Sequence, residues 1–236
     1  MGRSFAALLV VVLVSACGGA GGDIGATVRP PPSEPPPTPS EQLAVDLAGL
    51  SLEEFFDKSY EALTYREPEA IAWNKLESVY PVEFAVLNDL RDEYTRETLA
   101  MVQVSLDALY GYDRDALADA ARLDYDFYEW YLQDRLDHLD FIYHDFVATY
   151  NFAGIHNNTE RLFTDILPLE TVQDAEDYLT RLGYVLLKFR QLVDHLNLQS
   201  GAGIIEPGLT MDVAIARLGE IAREHRASGS HAPLGP

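Results

Sequence analysis

The chain of 236 residues contains a single cysteine, Cys17. With Cys17 committed as described below, no thiol is left for a disulfide, a thiolate metal site or a cysteine nucleophile. An exported domain of this kind must be held by packing alone. Positive charge is also scarce: 17 Lys and Arg face 38 Asp and Glu, for a net charge of −21. That balance repels nucleic acid and anionic lipid surfaces, so a nucleic-acid partner is not expected. Strand-like alternation with hairpin turns is nearly missing. No Gly-rich phosphate loop precedes a helix, no Gly-x-Ser-x-Gly elbow occurs, and no His-Glu-x-x-His spacing puts two imidazoles on one helical face.

What is present begins at the N-terminus. Arg3 leads into the run Ser4 to Ala16, whose apolar core is short of the roughly 20 residues a bilayer span needs. It fits the apolar region of a secretory signal peptide with small residues behind it. Val14-Ser15-Ala16-Cys17 resembles a bacterial lipobox, which implies that Cys17 becomes the lipidated first residue and that membrane lipid is its partner. The competing reading is an incidental cysteine beside an ordinary cleavage site. Gly18 to Gly22 is a flexible leader, and Val28 to Ser40 is a proline-rich spacer. Such chain favours polyproline II, rising about 3.1 Å per residue, and acts as a semi-rigid standoff. An SH3-type ligand is the alternative for Pro30 to Pro39, but those partners do not belong outside a bacterial cytoplasm. Gly18 stands where an aspartate would resemble a retention signal. The expectation is therefore export and lipid anchoring, at the outer membrane or periplasmic face rather than in the cytoplasm.

Beyond Ser40 the pattern is helical throughout, and the fold class is all-α: an array of long amphipathic helices following a disordered signal and tether. Ser51-Leu52-Glu53-Glu54 has the form of a capping box opening a helix with Phe55, Phe56, Tyr60 and Leu63. Glu67-Pro68-Glu69 places proline in a first helical turn, and Tyr80-Pro81 breaks the pattern. An amphipathic segment is predicted over Glu83 to Tyr110, with Leu87, Leu90, Tyr94, Leu99, Val102 and Leu106 apolar. Gly111-Tyr112-Asp113 is a turn, with Asp113 as N-cap of a helix from Arg114 to Leu139. Thr171-Val172-Gln173-Asp174 begins the clearest helix. Its apolar positions include Val172, Leu179, Leu182, Val185, Leu186, Leu192 and Val193, and Gln199 to Gly203 ends it. A last helix is predicted over Met211 to Arg226. Domain organisation follows as 1–17 signal, 18–40 linker, 41–226 helical domain and 227–236 a disordered or out-of-frame tail.

Chemistry-bearing groups are few. Asp134 and His138, and Asp140 and His144, sit four apart and could meet on a helix surface. A metal site from Asp137, His138, Asp140 and His144 is the sharper reading, though no other region visibly supplies further ligands. The run Asp124 to Tyr131 mixes aromatic and acidic residues. It suits carbohydrate or peptide binding, and it suits better a helix with a buried aromatic face and an acidic outer face. Asn157-Asn158-Thr159 has the form of a glycosylation acceptor, which a bacterial lipoprotein would not normally use.

Phe152-Ala153-Gly154-Ile155-His156, the stretch Thr171 to Leu182, Gly201-Ala202-Gly203-Ile204-Ile205-Glu206-Pro207, Leu52 to Phe56 and Arg66-Glu67-Pro68 together carry a resemblance. From about Leu50 to Ile221 the chain resembles the N-terminal part of the bacterial domain-of-unknown-function 885 family, departing where Glu206-Pro207 replaces Pro-Pro. The resemblance implies an exported, largely helical protein similar to gluzincin-type zinc peptidases. In those proteins the zinc helix lies in the C-terminal half of a chain more than twice this long. No residue here matches the zinc ligands or the catalytic glutamate, so no catalytic residue is assigned and no cofactor is expected in this chain. Zinc, and a peptide substrate, belong with the missing half. A wall of a substrate cleft is expected around Tyr150, Asn151, Gly154 and His156. The chain is then expected to be inactive by itself. The alternative is a stand-alone lipid-anchored helical binding module, and the third reading is a small metalloenzyme built on His138 and His144.

Overall fold

Thr38 and Ser51 open successive helices by the same device. The Thr38 hydroxyl accepts the Glu41 N–H, and the Glu41 carboxylate accepts the Thr38 N–H at 2.8 Å. Ser51 and Glu54 repeat the exchange, the Ser51 N–H donating to Glu54 Oε2 at 2.9 Å. Each box satisfies backbone donors that the first helical turn leaves free. The computed structural model describes residues 36–81, 85–146, 148 and 154–229, the side chains at 221, 222 and 224–229 excepted. The predicted signal, lipobox cysteine and most of the proline spacer lie outside the described residues, as do Tyr150 and Asn151.

Eight α-helices and no strand occur among the described residues: α1 (Pro39–Asp46), α2 (Leu52–Thr64), α3 (Pro68–Trp73), α4 (Asp92–Leu109), α5 (Asp119–Asp137), α6 (Ile155–Arg161), α7 (Val172–Gly201) and α8 (Gly208–Gly229). The all-α class stands. None of these helices is long and apolar enough to cross a membrane.

Helices α1, α2, α4 and α5 form the principal core. Phe55 and Leu63 of α2 meet Met101, Val102, Leu106 and Leu109 of α4 and Tyr125, Tyr128 and Leu132 of α5. Leu43 and Leu47 from the α1 region complete it. Phe55, Val102, Leu109 and Leu132 are fully buried, and each such side chain contributes about 1.5–3 kcal/mol of transfer free energy. Ser59 lies inside this core without orphaning its hydroxyl, which bonds the Phe55 carbonyl and the Tyr128 hydroxyl, each at 2.7 Å. A second, smaller cluster joins Ala72 of α3, Leu87, Leu162 and Leu167, with Tyr178 and Val185 of α7 packed against it.

Several boundaries differ from the predicted ones. The segment expected to be helical from Glu83 becomes α4 only at Asp92. Within the non-helical residues 85–90, two backbone donors are taken by distant side chains. The Asn88 N–H bonds Glu69 Oε1 (2.9 Å), and the Leu90 N–H bonds Gln191 Oε1 (3.1 Å). Partners far along the chain thus outcompete the local helical pattern. Asp113 does cap, but what it caps is a 3-10 turn at Arg114–Ala116, and α5 starts later, at Asp119. Leu117 and Ala118 are extended between the two, and the Arg114 guanidinium swings onto Asp126 of α5. At its far end α5 gives way to a 3-10 turn at His138–Phe141. The last helix runs through Gly229, so residues 227–229 of the predicted tail are helical. Gly203, just beyond α7, adopts the left-handed φ of 79° expected of a glycine that ends a helix.

Helix α7 has the predicted period and an unexpected phase. Thr171 and Asp174 form its capping box, and its 30 residues extend about 45 Å. The side chains it buries are Lys188, Gln191, Leu192 and Gln199, whereas Val172, Leu179, Leu182, Leu186 and Val193 face solvent. Neither α7 nor α8 lies closely alongside another described helix.

Candidate functional site

The predicted cleft wall is half in view. Gly154 is the N-cap residue of α6, and His156 sits in its first turn, buried. Burial, with Arg217 nearby, pushes the His156 imidazole below its usual range, against a smaller opposing effect of Glu160. Arg217 of α8 bonds Glu160 of α6 at 2.8 Å, tying the two helices together beside His156. Thr159, one turn on, is buried, and its hydroxyl has no hydrogen-bond partner among the described residues. After Arg161 the helix widens into a π-helical turn at Leu162–Ile166, a form that concentrates at functional segments. Glu206 is 5% exposed, and neither carboxylate oxygen has a hydrogen-bond partner among the described residues.

The buried face of α7 is an ionic and amide surface. Lys188 donates to both oxygens of Glu69 at 2.6 and 2.8 Å, with both side chains nearly inaccessible. Glu69 and Asn88 also exchange side-chain and backbone bonds in both directions, at 2.9 and 3.0 Å. One turn along α7, Gln191 accepts from Leu90; further on, Gln199 Nε2 donates to the Tyr143 carbonyl at 2.8 Å. Tyr143 in turn donates to Asp92, which Arg96 also grips, and these donors hold the Asp92 carboxyl below its usual range. The sequence reading missed this network because Glu69, Lys188, Gln191 and Gln199 are isolated polar letters with no motif. The sequence-level signal was slight: Lys188 and Gln191 stand three apart on α7, and Gln199 follows eight residues on.

The metal reading on α5 meets a different geometry. Asp137, His138, Asp140 and His144 are all exposed, and the 3-10 turn takes Asp140 off the helix. His138 Nδ1 bonds the Asp134 backbone carbonyl rather than its carboxylate, and His144 packs edge-on against Phe141. Among the described residues no three His, Cys, Asp or Glu side chains converge. The four residues of that reading thus form no ligand set for zinc.

The aromatic–acidic run on α5 divides as its helical phase dictates. Tyr125 and Tyr128 are buried, while Phe127 and Trp130 are exposed and in contact, 5.8 Å between centroids. Phe127, Tyr128 and Asp124 also line a groove of about 590 Å³ shared with α2 and the connection after α3. Phe56 and Tyr60 come from α2, and Tyr80 from the connection.

The family profile described as "Bacterial protein of unknown function (DUF885)" matches residues 81–234. This chain belongs to the DUF885 family. No curated protein and no solved structure matches it. The DUF885 match covers α4 through α8 and begins after α3. Leu52 to Phe56 and Arg66 to Pro68, which carried part of the resemblance, fall outside it. Even so, the preceding helices are structurally inseparable from the DUF885 stretch: Phe55 completes the core of α4 and α5, and Glu69 pairs with Lys188.

Proposed function

We propose that this chain is a lipid-anchored, exported helical part of a DUF885 protein, the N-terminal part of a zinc-peptidase-like architecture, which contributes binding surface and not catalysis. The outward apolar stripe of α7 carries this reading. A 30-residue helix that buries lysine and glutamine while Leu179, Leu182 and Leu186 face solvent suits a surface covered by further family sequence. The absence of His-Glu-x-x-His from the 236 residues supports a non-catalytic role, since zinc hydrolysis needs three protein ligands and a general base. Gly154 and His156, with Tyr150 and Asn151, then contribute to the cleft wall.

Three measurements test the parts separately. Expressed in a bacterial host, the chain should incorporate labelled fatty acid and fractionate with membranes, and Cys17→Ser should abolish both. A soluble, unlabelled wild type would sink the anchor. Supplied with zinc, the purified chain should generate no new amino termini from a mixed peptide pool; their appearance would reject the non-catalytic assignment. Genomic sequence beyond the codon for Pro236 should encode His-Glu-x-x-His within a few hundred codons. Its absence would favour the stand-alone binding module, a reading supported by the groove lined by α2, α5 and the connection after α3.

A further inference from the structure

The groove between α2, the connection after α3 and α5 includes none of the residues on which the cleft-wall reading rests. Its walls are aromatic: Tyr60 and Tyr80 form a tilted pair 6.3 Å apart, and Phe127, 63% exposed, adds a further ring. Its rim carries four carboxylates against one ammonium, that of Lys58. The four are not equivalent. Glu54 is held by the Ser51 cap, and Glu61 takes Lys58 at 3.1 Å. No hydrogen bond or ion pair among the described residues engages Asp57 or Asp124.

The chain elsewhere shows what its aromatic rings accept. Arg66 lies 3.4 Å from the centre of the Tyr94 ring, Arg161 5.1 Å from that of Trp73 and Arg135 5.6 Å from that of Tyr131. None of those three rings lines this groove. Here the one cation, Lys58, is taken by Glu61, and Asp57 and Asp124 line the same groove as the rings without a cation of their own among the described residues. Such a site attracts ammonium groups through charge and the ring quadrupole, while apolar stems pack on the rings. Its volume, about 590 Å³, falls within the range of small-molecule sites. An anion is repelled. A neutral sugar could stack on the rings but would leave the carboxylates without a counter-charge. A bare metal ion would use the carboxylates and ignore the rings.

We propose that this groove binds a linear aliphatic polyamine: two or more ammonium groups, set against Asp57 and Asp124, joined by methylene stretches that lie on Tyr60, Tyr80 and Phe127. The binding requires no particular membrane attachment and no catalytic partner, so its failure and the failure of the proposed function are separable.

Calorimetric titration of the detergent-solubilised full chain with spermidine, in about 0.15 M salt to screen diffuse attraction, tests the proposal. Saturable binding near one equivalent is expected. Phe127→Ala and Tyr60→Ala leave the charge untouched, and each should weaken binding about fivefold or more, the scale of a lost cation–ring contact. Asp57→Asn with Asp124→Asn should weaken it at least tenfold, and Lys58→Gln should tighten it roughly threefold by freeing Glu61. Circular dichroism of each variant reports retained folding; these side chains are largely exposed. Absence of saturable binding would overturn the proposal. So would binding matched by Mg²⁺ at equal ionic strength and indifferent to Phe127→Ala, which is the behaviour of any polycation on an acidic surface. A trilysine peptide binding more than tenfold tighter than spermidine would reassign the groove to basic peptides and also overturn it.

Discussion

Helices α2, α4 and α5 turn their apolar stripe inward, whereas α7 buries Lys188, Gln191 and Gln199 beside Leu192 and leaves Leu179, Leu182 and Leu186 outside. Both regions keep the 3.6-residue period. What differs is the partner available at each face. The first region packs around Phe55 and Leu109, apolar surfaces that only apolar side chains satisfy. On α7 the groups that face Lys188, Gln191 and Gln199 are the Glu69 carboxylate, the Leu90 N–H and the Tyr143 carbonyl, and these must be met by a cation and amides. Amphipathicity tells that a helix has two faces; the polarity of what lies opposite decides which one is buried.

That contrast can be broken by substitution. Phe55→Ala, in the apolar core, should destabilise the chain most, by about 3–5 kcal/mol in denaturant unfolding. A loss below about 1 kcal/mol would mean this core is not what holds the fold. Lys188→Met leaves the Glu69 carboxylate buried without its cation and should cost about 3 kcal/mol. Adding Glu69→Gln, which keeps an acceptor for the Asn88 N–H, should recover most of that loss, since a neutral buried pair escapes the desolvation penalty. Failure to recover would show that the pair itself stabilises the α7 contact.

Smaller effects sharpen the comparison. Tyr128→Phe removes a hydroxyl from inside the first region, where Ser59 keeps its bond to the Phe55 carbonyl. A cost of about 1 kcal/mol in chemical denaturation is expected. His156 has its pKa lowered by burial, so the folded state favours the neutral ring. Its contribution is complete above the unfolded value of about 6.5 and declines as pH falls below it. The acid limb of stability against pH should therefore be shallower in His156→Met; an unchanged slope would remove His156 as its source. Leu186→Ser, on the outer face of α7, should change stability least, within about 0.5 kcal/mol. A loss above 1 kcal/mol would reveal that this face is covered in solution, and sedimentation would then show the associated species.

Much of the architecture was legible from local chemistry. The Ser51–Glu54 box, Pro68 in the first turn of α3, the apolar face of α4 at Val102 and Leu106, and the glycine stop at Gly203 all rest on interactions within a few residues. The late start of α4 was not legible, because Glu69 and Gln191 intercept its backbone from distant parts of the chain. The same limit applied to the groove. Phe127 and Asp124 stood out in the aromatic–acidic run, but Tyr60 and Tyr80 became their neighbours only when α2, the connection and α5 came together.

The sequence by itself determined the all-helical class, the caps and stops of several helices, the heavy negative charge and the lack of a His-Glu-x-x-His spacing. All of these follow from residue type and short-range periodicity. The tertiary structure alone decided that Lys188 would be buried and Leu186 exposed, and that two unpaired carboxylates would border a set of open aromatic rings. Burial and pairing depend on which surfaces meet, and segments more than a hundred residues apart, such as Glu69 and Lys188, meet only in the folded chain.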